Sequence, residues 1–447
     1  MTRTRKITAP RRLPPGELKR RRRQLMRAMG EDAIAILPAA HECIRNRDVE
    51  YPFRQDSDFL YLTDFPEPEA VAVFIPGREQ GEYLLFCRER DADKETWHGR
   101  RAGPEGAVAR YGADDAFPIG DIDDILPGLL EHRARLYYTM GKDAAFDRRL
   151  MDWVNQLRRK VRSGASAPHE FIDLEFLLHD MRLYKSRSEL RLMREAARIT
   201  IEAHQRAMRA TAPGRYEFEV EAELLHTFRR HGCEPAYPSI VGGGENGCIL
   251  HYTENSAPLR DGDLLLIDAG AEYCGYASDV TRTFPVNGRY SPAQRELYEL
   301  VLAAQQAAIE QVVPGNHWND PHNAAVRVLT RGLIELGLLK GKPATLIKDG
   351  AYRRFYMHRT GHWLGLDVHD VGDYKVGEEW RVLEPGMVMT VEPGLYIAPG
   401  SKDVPKRFQG IGIRIEDDVL VTKEGSEVLT EGLVKRPEDI EALMAGT

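Results

Sequence analysis

No stretch of this 447-residue chain approaches the ~18 consecutive apolar residues that a membrane-spanning helix requires. The five cysteines (Cys43, Cys87, Cys233, Cys248 and Cys274) include no Cys-x-x-Cys pair. An odd number of thiols scattered over a long chain reads as reduced cysteine in a cytoplasmic protein. There is no Gly-rich phosphate loop ending in Gly-Lys-Ser/Thr, and no Gly-x-Ser-x-Gly nucleophile elbow. The opening stretch "MTRTRKITAPRRLPPGELKRRRRQLMRAM" lacks both an apolar core and serine, so neither a secretory signal nor a typical transit peptide fits. A formal net charge of -7 argues against general nucleic-acid affinity.

What is present is the composition of an ordinary globular protein, 42% hydrophobic and 29% charged. The length exceeds what one core usually serves, so two domains of about 180 to 260 residues each are expected. Near the start, Leu18, Leu25, Met26 and Met29 share one helical face, which leaves the Arg20 to Arg23 run on the wet side. The solvated helix outweighs an anion-binding role for those arginines. Strand-like runs ("DAIAILPAA", "EAVAVFIPG", "EYLLFCRER", "RLYYTMG") alternate with helical patterns such as "EFIDLEFLLHDMRLY", which reads as an N-terminal α/β domain over residues 1–183.

A second domain, residues 184–447, opens at the capping box Ser186 to Glu189. It says the same thing twice. A capped helix runs from Ser186 to Pro213-Gly214, and a second ends near Gly232. Another box at Ser291, with Pro292 at the first helical position, opens a helix running to Pro314-Gly315, and its successor ends near Gly337. Each pair leads to a strand in a common frame, "GDLLLIDAG" and "GMVMTVEPG", with Asp268 and Glu392 at matching positions. The expected class is therefore α+β, with a site between two pseudo-symmetric halves.

The stretch "LLLIDAGAEYCGYASDVTRTFP" aims two carboxylates at the interior. Pairing it as a hairpin about Tyr273-Cys274 sets Asp268 and Asp279 directly opposite, roughly 5 Å apart. Either alone would pass as a turn or surface residue; together and buried they need a shared proton or a cation. "MHRTGHWLGLDVHD" adds His358, His362 and His369, without the His-Glu-x-x-His pattern of the zincins. "GIGIRIEDDVLVT" sets Arg414 and Glu416 on alternate residues of a strand, hence on one face. An oxygen-rich set with few imidazoles suits two hard or borderline divalent ions, Mn²⁺ more naturally than a thiolate-preferring metal. "GGGENG" fits a dinucleotide pattern but precedes the strand-like "CILHY" rather than a helix, so it reads as a loop leading to His251.

"GGGENGCILHYTEN", "LLLIDAGAEYCGYASDVTRTFP", "HRTGHWLGLDVHDVG", "MVMTVEPGLYI" and "GIGIRIEDDV" resemble the pita-bread metallopeptidases, above all the aminopeptidase P branch. "EYPFRQDSDFLYLTDFPEPEAV" and "ETWHGRRAG" are similar to that branch's N-domain. The resemblance implies a creatinase-like N-domain and a pita-bread catalytic domain. It also implies two metal ions held by Asp268, Asp279, His362, Glu392 and Glu416, with Asp279 and Glu416 bridging. His251, His358 and His369 match histidines that handle substrate and protons, while Arg414 and Tyr396 orient the carboxylates and Trp97 lies near the substrate channel. The implied reaction removes an N-terminal residue preceding proline, with Glu392 passing a proton to the leaving nitrogen, in a homodimer or homotetramer.

Two other readings remain open. A prolidase would cut Xaa-Pro dipeptides with the same centre. Related peptidases often place Arg where this chain has Gln409, immediately before the last ligand strand, which weighs against that reading, although Arg407 is close by. A metal-free pita-bread binding protein would be expected to lose ligands, and none is missing.

Overall fold

The computed structural model describes residues 13–446, which fall into two compact units, Leu13–Arg182 and Leu183 onward. The first is built on a six-stranded mixed sheet. Its strand order is Asp115–Pro118, Tyr83–Cys87, Val71–Phe74, Ala33–Pro38, Arg135–Tyr137, Glu170–Ile172. The outer pairs are parallel and the central ones, about Val71–Phe74, antiparallel. All four strand-like runs read from the sequence are strands, and their alternate residues (Ile34, Ile36, Val71, Val73, Leu84, Phe86) meet Leu150, Trp153 and Val154 of helix Ala144–Arg159 in one core. "EFIDLEFLLHDMRLY" is helical only from Leu174; its first residues form the edge strand Glu170–Ile172.

The first helix, Pro15–Met29, buries Leu18, Leu25, Met26 and Met29 as the periodicity predicts. Its arginines are not all wet. Arg21 is fully buried, donating to the Tyr61 carbonyl at 2.9 Å with its guanidinium 4.0 Å above the Tyr61 ring, and Arg22 donates to the Leu62 carbonyl. Carbonyls of the last turn of helix Ser57–Thr63 accept these donors, which is why two charges can enter a core there. Lys19, Arg20 and Arg23 stay exposed, and residues 1–12 of the basic segment lie outside the described residues.

In the second unit, helices Arg187–Ala210 and Pro292–Ile309 start at the two predicted capping boxes, with both reciprocal hydrogen bonds formed in each. Each packs on its successor, Glu217–Arg230 and Asp320–Glu335 respectively. The frame strands Leu264–Asp268 and Val388–Val391 follow.

The hairpin register differs from the sequence expectation. Asp268 pairs with Thr281, and Tyr273 pairs with Tyr276 around a two-residue turn at Cys274-Gly275, both with positive φ. Such a turn matches strand twist better than one centred a residue earlier. The slip of two positions preserves parity, so Asp279 still shares a face with Asp268, diagonally rather than directly opposite. On the other half, Val391 pairs with Asp417 and Gly394 with Arg414, so Glu392 and Glu416 face each other in the gap between two ladders. Glu416 thus sits in a strand interruption rather than within a continuous strand. "CILHY" is likewise not a strand: Gly244–Cys248 is a 3₁₀ turn and the following residues are irregular.

Arg282 fastens these pieces. Fully buried on strand Thr281–Pro285, it donates to the carbonyls of Thr281, Glu416, Leu433 and Val434 and to the Asp417 carboxylate at 2.7 Å. Asp417 also accepts from Gln305, Thr430 and Lys435. Substituting Arg282→Met strips the clamp and exposes four carbonyls to an apolar stub. It is expected to destabilise the unit by about 3–5 kcal/mol, a drop of roughly 10 °C in thermal midpoint; an unchanged midpoint would refute the assignment.

In the first unit, Asp58 is buried against Arg182 at 2.8 Å, with His179 at 3.5 Å. Burial alone would raise its pKa; the His179 hydrogen bond and the Arg182 charge outweigh it and hold the carboxyl at about 2. A depressed pKa contributes stability that is complete above the unfolded value near 4 and lost as pH falls toward 2, about 2 kcal/mol here. Urea midpoints of wild type and Asp58→Asn should therefore differ at pH 7 and converge near pH 2. A gap that persists at pH 2 would contradict this.

Candidate metal centre

Strand Leu264–Asp268 is apolar and buried up to its last residue, where Asp268 turns a carboxylate into the site. Its Oδ2 accepts from Arg414 Nη2 at 2.5 Å, and its Oδ1 from the Tyr237 hydroxyl at 2.6 Å. The same hydroxyl lies 2.5 Å from Asp279 Oδ1. One hydroxyl proton cannot serve two carboxylates at once, so the second contact calls for another proton or a cation. Asp279 is held by its own backbone, whose N–H donates to Asp418; that carboxylate also accepts from Ser278.

His362 completes the floor. Its Nδ1 donates to the Trp363 carbonyl at 2.9 Å, which leaves Nε2 facing Asp279 Oδ2 at 3.2 Å and Glu392 Oε1 at 3.9 Å. Ligand atoms of Asp279, His362 and Glu416 lie within 4.8 Å of one another, a group fit to hold a metal ion. Glu416 is 2% exposed and accepts from the Thr281 hydroxyl, which in turn accepts from Arg414 Nε. Arg414 and Glu416 therefore face the same site despite the strand break between them. Two glycines keep the floor close: a Cβ on Gly270 would stand 1.6 Å from the Ser278 carbonyl oxygen, and one on Gly361 2.0 Å from that of Thr390.

The electrostatics follow from burying this much negative charge. Burial first, then neighbouring carboxylates, pushes Glu416 well above the usual range and Glu392 up to about 7. Burial also raises Asp268, against Arg414. For Asp279, burial acts upward too, but the hydrogen bond and charge of His362 prevail and the net shift is downward. His362 mirrors it: burial opposes the charge, yet Asp279 lifts the imidazole to about 9. Four carboxylates opposite one guanidinium and one imidazole leave a negative cavity. Oxygen donors with a single oriented imidazole are the ligand set for hard or borderline divalent cations, and binding one would return His362 Nε2 to its neutral form.

A second set stands beside them. His358 Nδ1 donates to the Arg359 carbonyl, so its Nε2 accepts from the Tyr396 hydroxyl at 2.9 Å, and Tyr396 accepts from Arg414 at 3.0 Å. Burial, then Arg414, pushes His358 down to about 3, so it is neutral. The His369 ring meets His362 edge-on at 4.4 Å. His251, exposed on its turn, is near enough to add to the depression of both His358 and His369. Trp97 belongs to the other unit, on helix Ala92–His98, 81% exposed. Tyr237, Thr281 and Asp418 were not foreseen; only the alternation of "DVTRTF" hinted at Thr281.

A second acidic group, Asp58, Glu175 and His179, is also compact. Arg182 and Lys142 already neutralise it, Lys142 at 3.1 Å from Glu175 and 3.0 Å from Asp56. Gln409 is occupied as well: it accepts from Gly400 N–H and donates to the Ser401 and Val404 carbonyls, stitching its own loop.

Residues 191–423 match the model of metallopeptidase family M24, and residues 18–137 that of the aminopeptidase P N-terminal domain. The chain is 48% identical to a Xaa-Pro aminopeptidase of Escherichia coli, over 96% of this chain and 97% of that one. A solved aminopeptidase of Pseudomonas aeruginosa superposes with a TM-score of 0.96 at 61% identity, covering 97% and 99% of the two chains. Zinc-substituted E. coli aminopeptidase P in complex with product superposes at 0.95 with 47% identity, covering 98% and 99%. The pseudo-symmetric α+β unit with its buried carboxylates is the pita-bread domain, and the chain belongs to metallopeptidase family M24, in its aminopeptidase P branch.

Proposed function

We propose that this chain is a Xaa-Pro aminopeptidase, a hydrolase releasing the N-terminal residue from peptides with proline second. The carrying observation is the cluster of Asp279, His362 and Glu416, with Asp268 sharing the Tyr237 hydroxyl with Asp279 and Glu392 beside His362, in a chain 48% identical, nearly end to end, to an enzyme of that name. These five would hold two divalent ions, Mn²⁺ by the oxygen-rich donor set. The catalytic domain is residues 184–447 and the N-domain residues 1–183.

Bound divalent ions would supply Lewis acidity and an activated water at neutral pH. The chain's own residues do the rest. Arg414 fixes the Asp268 carboxylate and holds the Tyr396 hydroxyl, whose proton points at His358 Nε2 and keeps that imidazole neutral and oriented. As water adds to the scissile carbonyl, the oxyanion is stabilised by a nearby imidazole N–H of His251 or His369, since His358 has its one N–H committed to the Arg359 carbonyl. Cleavage breaks the bond to the proline nitrogen, a tertiary amide nitrogen that must gain a proton to leave. Glu392, beside His358 and His362 in the site, delivers it.

The peptide is the only partner proposed besides copies of the chain itself; no nucleic acid and no membrane is implied. No helix among the described residues is long and apolar enough to cross a membrane. Free cysteines support a cytoplasmic setting. The resemblance to aminopeptidase P carries the proposal of a homodimer or homotetramer. Trp97 is the candidate substrate-channel contact.

The test offers Xaa-Pro-Yaa, Xaa-Pro and Xaa-Ala-Yaa peptides to chelated, then Mn²⁺-reloaded protein. Metal-dependent cleavage of the first alone is expected; cleavage of the dipeptide alone would make this a prolidase. Asp279→Asn should lose bound metal and more activity than the ~10–100-fold typical of losing an outer-shell partner. Near-normal turnover by that variant would remove Asp279 from the ligand set.

A further inference from the structure

The Gly242–Gly247 run has the look of a phosphate cradle, and the structure shows what fills it. Glu217, the first residue of helix Glu217–Arg230, is fully buried beneath this loop. Its Oε1 accepts from the Gly243 N–H at 2.7 Å and the Asn246 amide at 3.0 Å. Its Oε2 accepts from the Tyr252 hydroxyl and the Ala257 N–H, both at 2.8 Å. The Glu217 N–H returns a bond to the Ala257 carbonyl. Four neutral donors thus fill the acceptor positions of one buried carboxyl group.

The glycines make this closure possible. A Cβ on Gly243 would stand 3.3 Å from Glu217 Oε1 and 2.8 Å from a Leu259 methyl, and Gly244 takes φ +55°. The loop closes on the protein's own anion, not on a ligand's. His251 lies between two of the pinned points, Asn246 and Tyr252, immediately before the second. Nothing else about His251 is regular: it sits on an exposed turn with no strand or helix to set its direction.

We infer that Glu217 is a positioning residue, whose internal carboxylate sets the 243–257 loop and through it the place of His251. The activity readout rests on the proposed peptidase reading; the loop readout does not. Glu217→Gln keeps the shape but turns an amide donor against two donors. It should retain bound metal and a cooperative melt, while lowering kcat/KM about 10- to 100-fold, the scale of a misplaced catalytic group. In a His251→Ala background the same change should cost less than about twofold, because the group it positions is gone. Amide exchange across 243–257 should quicken in Glu217→Gln while the Leu264–Asp268 strand stays protected.

An equal loss in both backgrounds, an unaltered kcat/KM, or loss of metal from Glu217→Gln would each overturn the assignment. If Glu217→Gln does not fold, Tyr252→Phe removes one of the four donors and should shift activity and exchange in the same direction, more weakly; no shift in either overturns it. Should wild type cleave no Xaa-Pro peptide, the functional reading falls, and the exchange comparison still decides: unaltered protection at 243–257 sinks the loop assignment.

Discussion

Four carboxylates are buried in one cavity, and their mutual repulsion is the constraint around which the catalytic unit is arranged. Arg414 answers part of it, reaching Asp268, Thr281 and Tyr396 with three separate donors. His362 answers another part through Asp279. The residue of negative charge is left for cations, which is the property a metallopeptidase needs before any metal arrives. The same constraint explains the secondary clamps. Arg282 and Asp418 touch no cavity oxygen of the four, yet each fixes a backbone segment from which one of them projects. Without such fixing, repulsion would be relieved by splaying the strands instead of by binding a cation.

Much of this was legible in the sequence because the deciding signals are local. Ser186 and Ser291 announce helix starts through pairs three residues apart, and the frame shared by Asp268 and Glu392 rests on glycine spacing. Parity along the hairpin survived a two-residue error in register, since side-chain direction repeats every two residues. The Cys274-Gly275 pair, with φ of +53° and +84°, is where the backbone prefers to reverse.

What stayed illegible is set by tertiary approach. Tyr237 lies between two prolines with no pattern to mark it, and only folding brings its hydroxyl to both Asp268 and Asp279. Glu217 looks like any acidic residue in a first helical turn, where the macrodipole alone would account for it. Arg21 and Arg22 belong to a run that reads as solvated until the carbonyls of Tyr61 and Leu62 are placed within reach of them. In each case the partner is distant in sequence and is often backbone, which carries no residue-specific signature.

The closeness of Gly270 to the Ser278 carbonyl, and of Gly361 to that of Thr390, has a consequence for how such a centre can diversify. Both contacts are backbone to backbone, so no rotamer change on a neighbour can make room for even a methyl group. The floor is closed to gradual remodelling by side-chain growth, one substitution at a time. New selectivity in descendants of this chain has to arise at the rim, where exposed turns such as that of His251 can change length and composition without forcing apart the strands that carry the carboxylates.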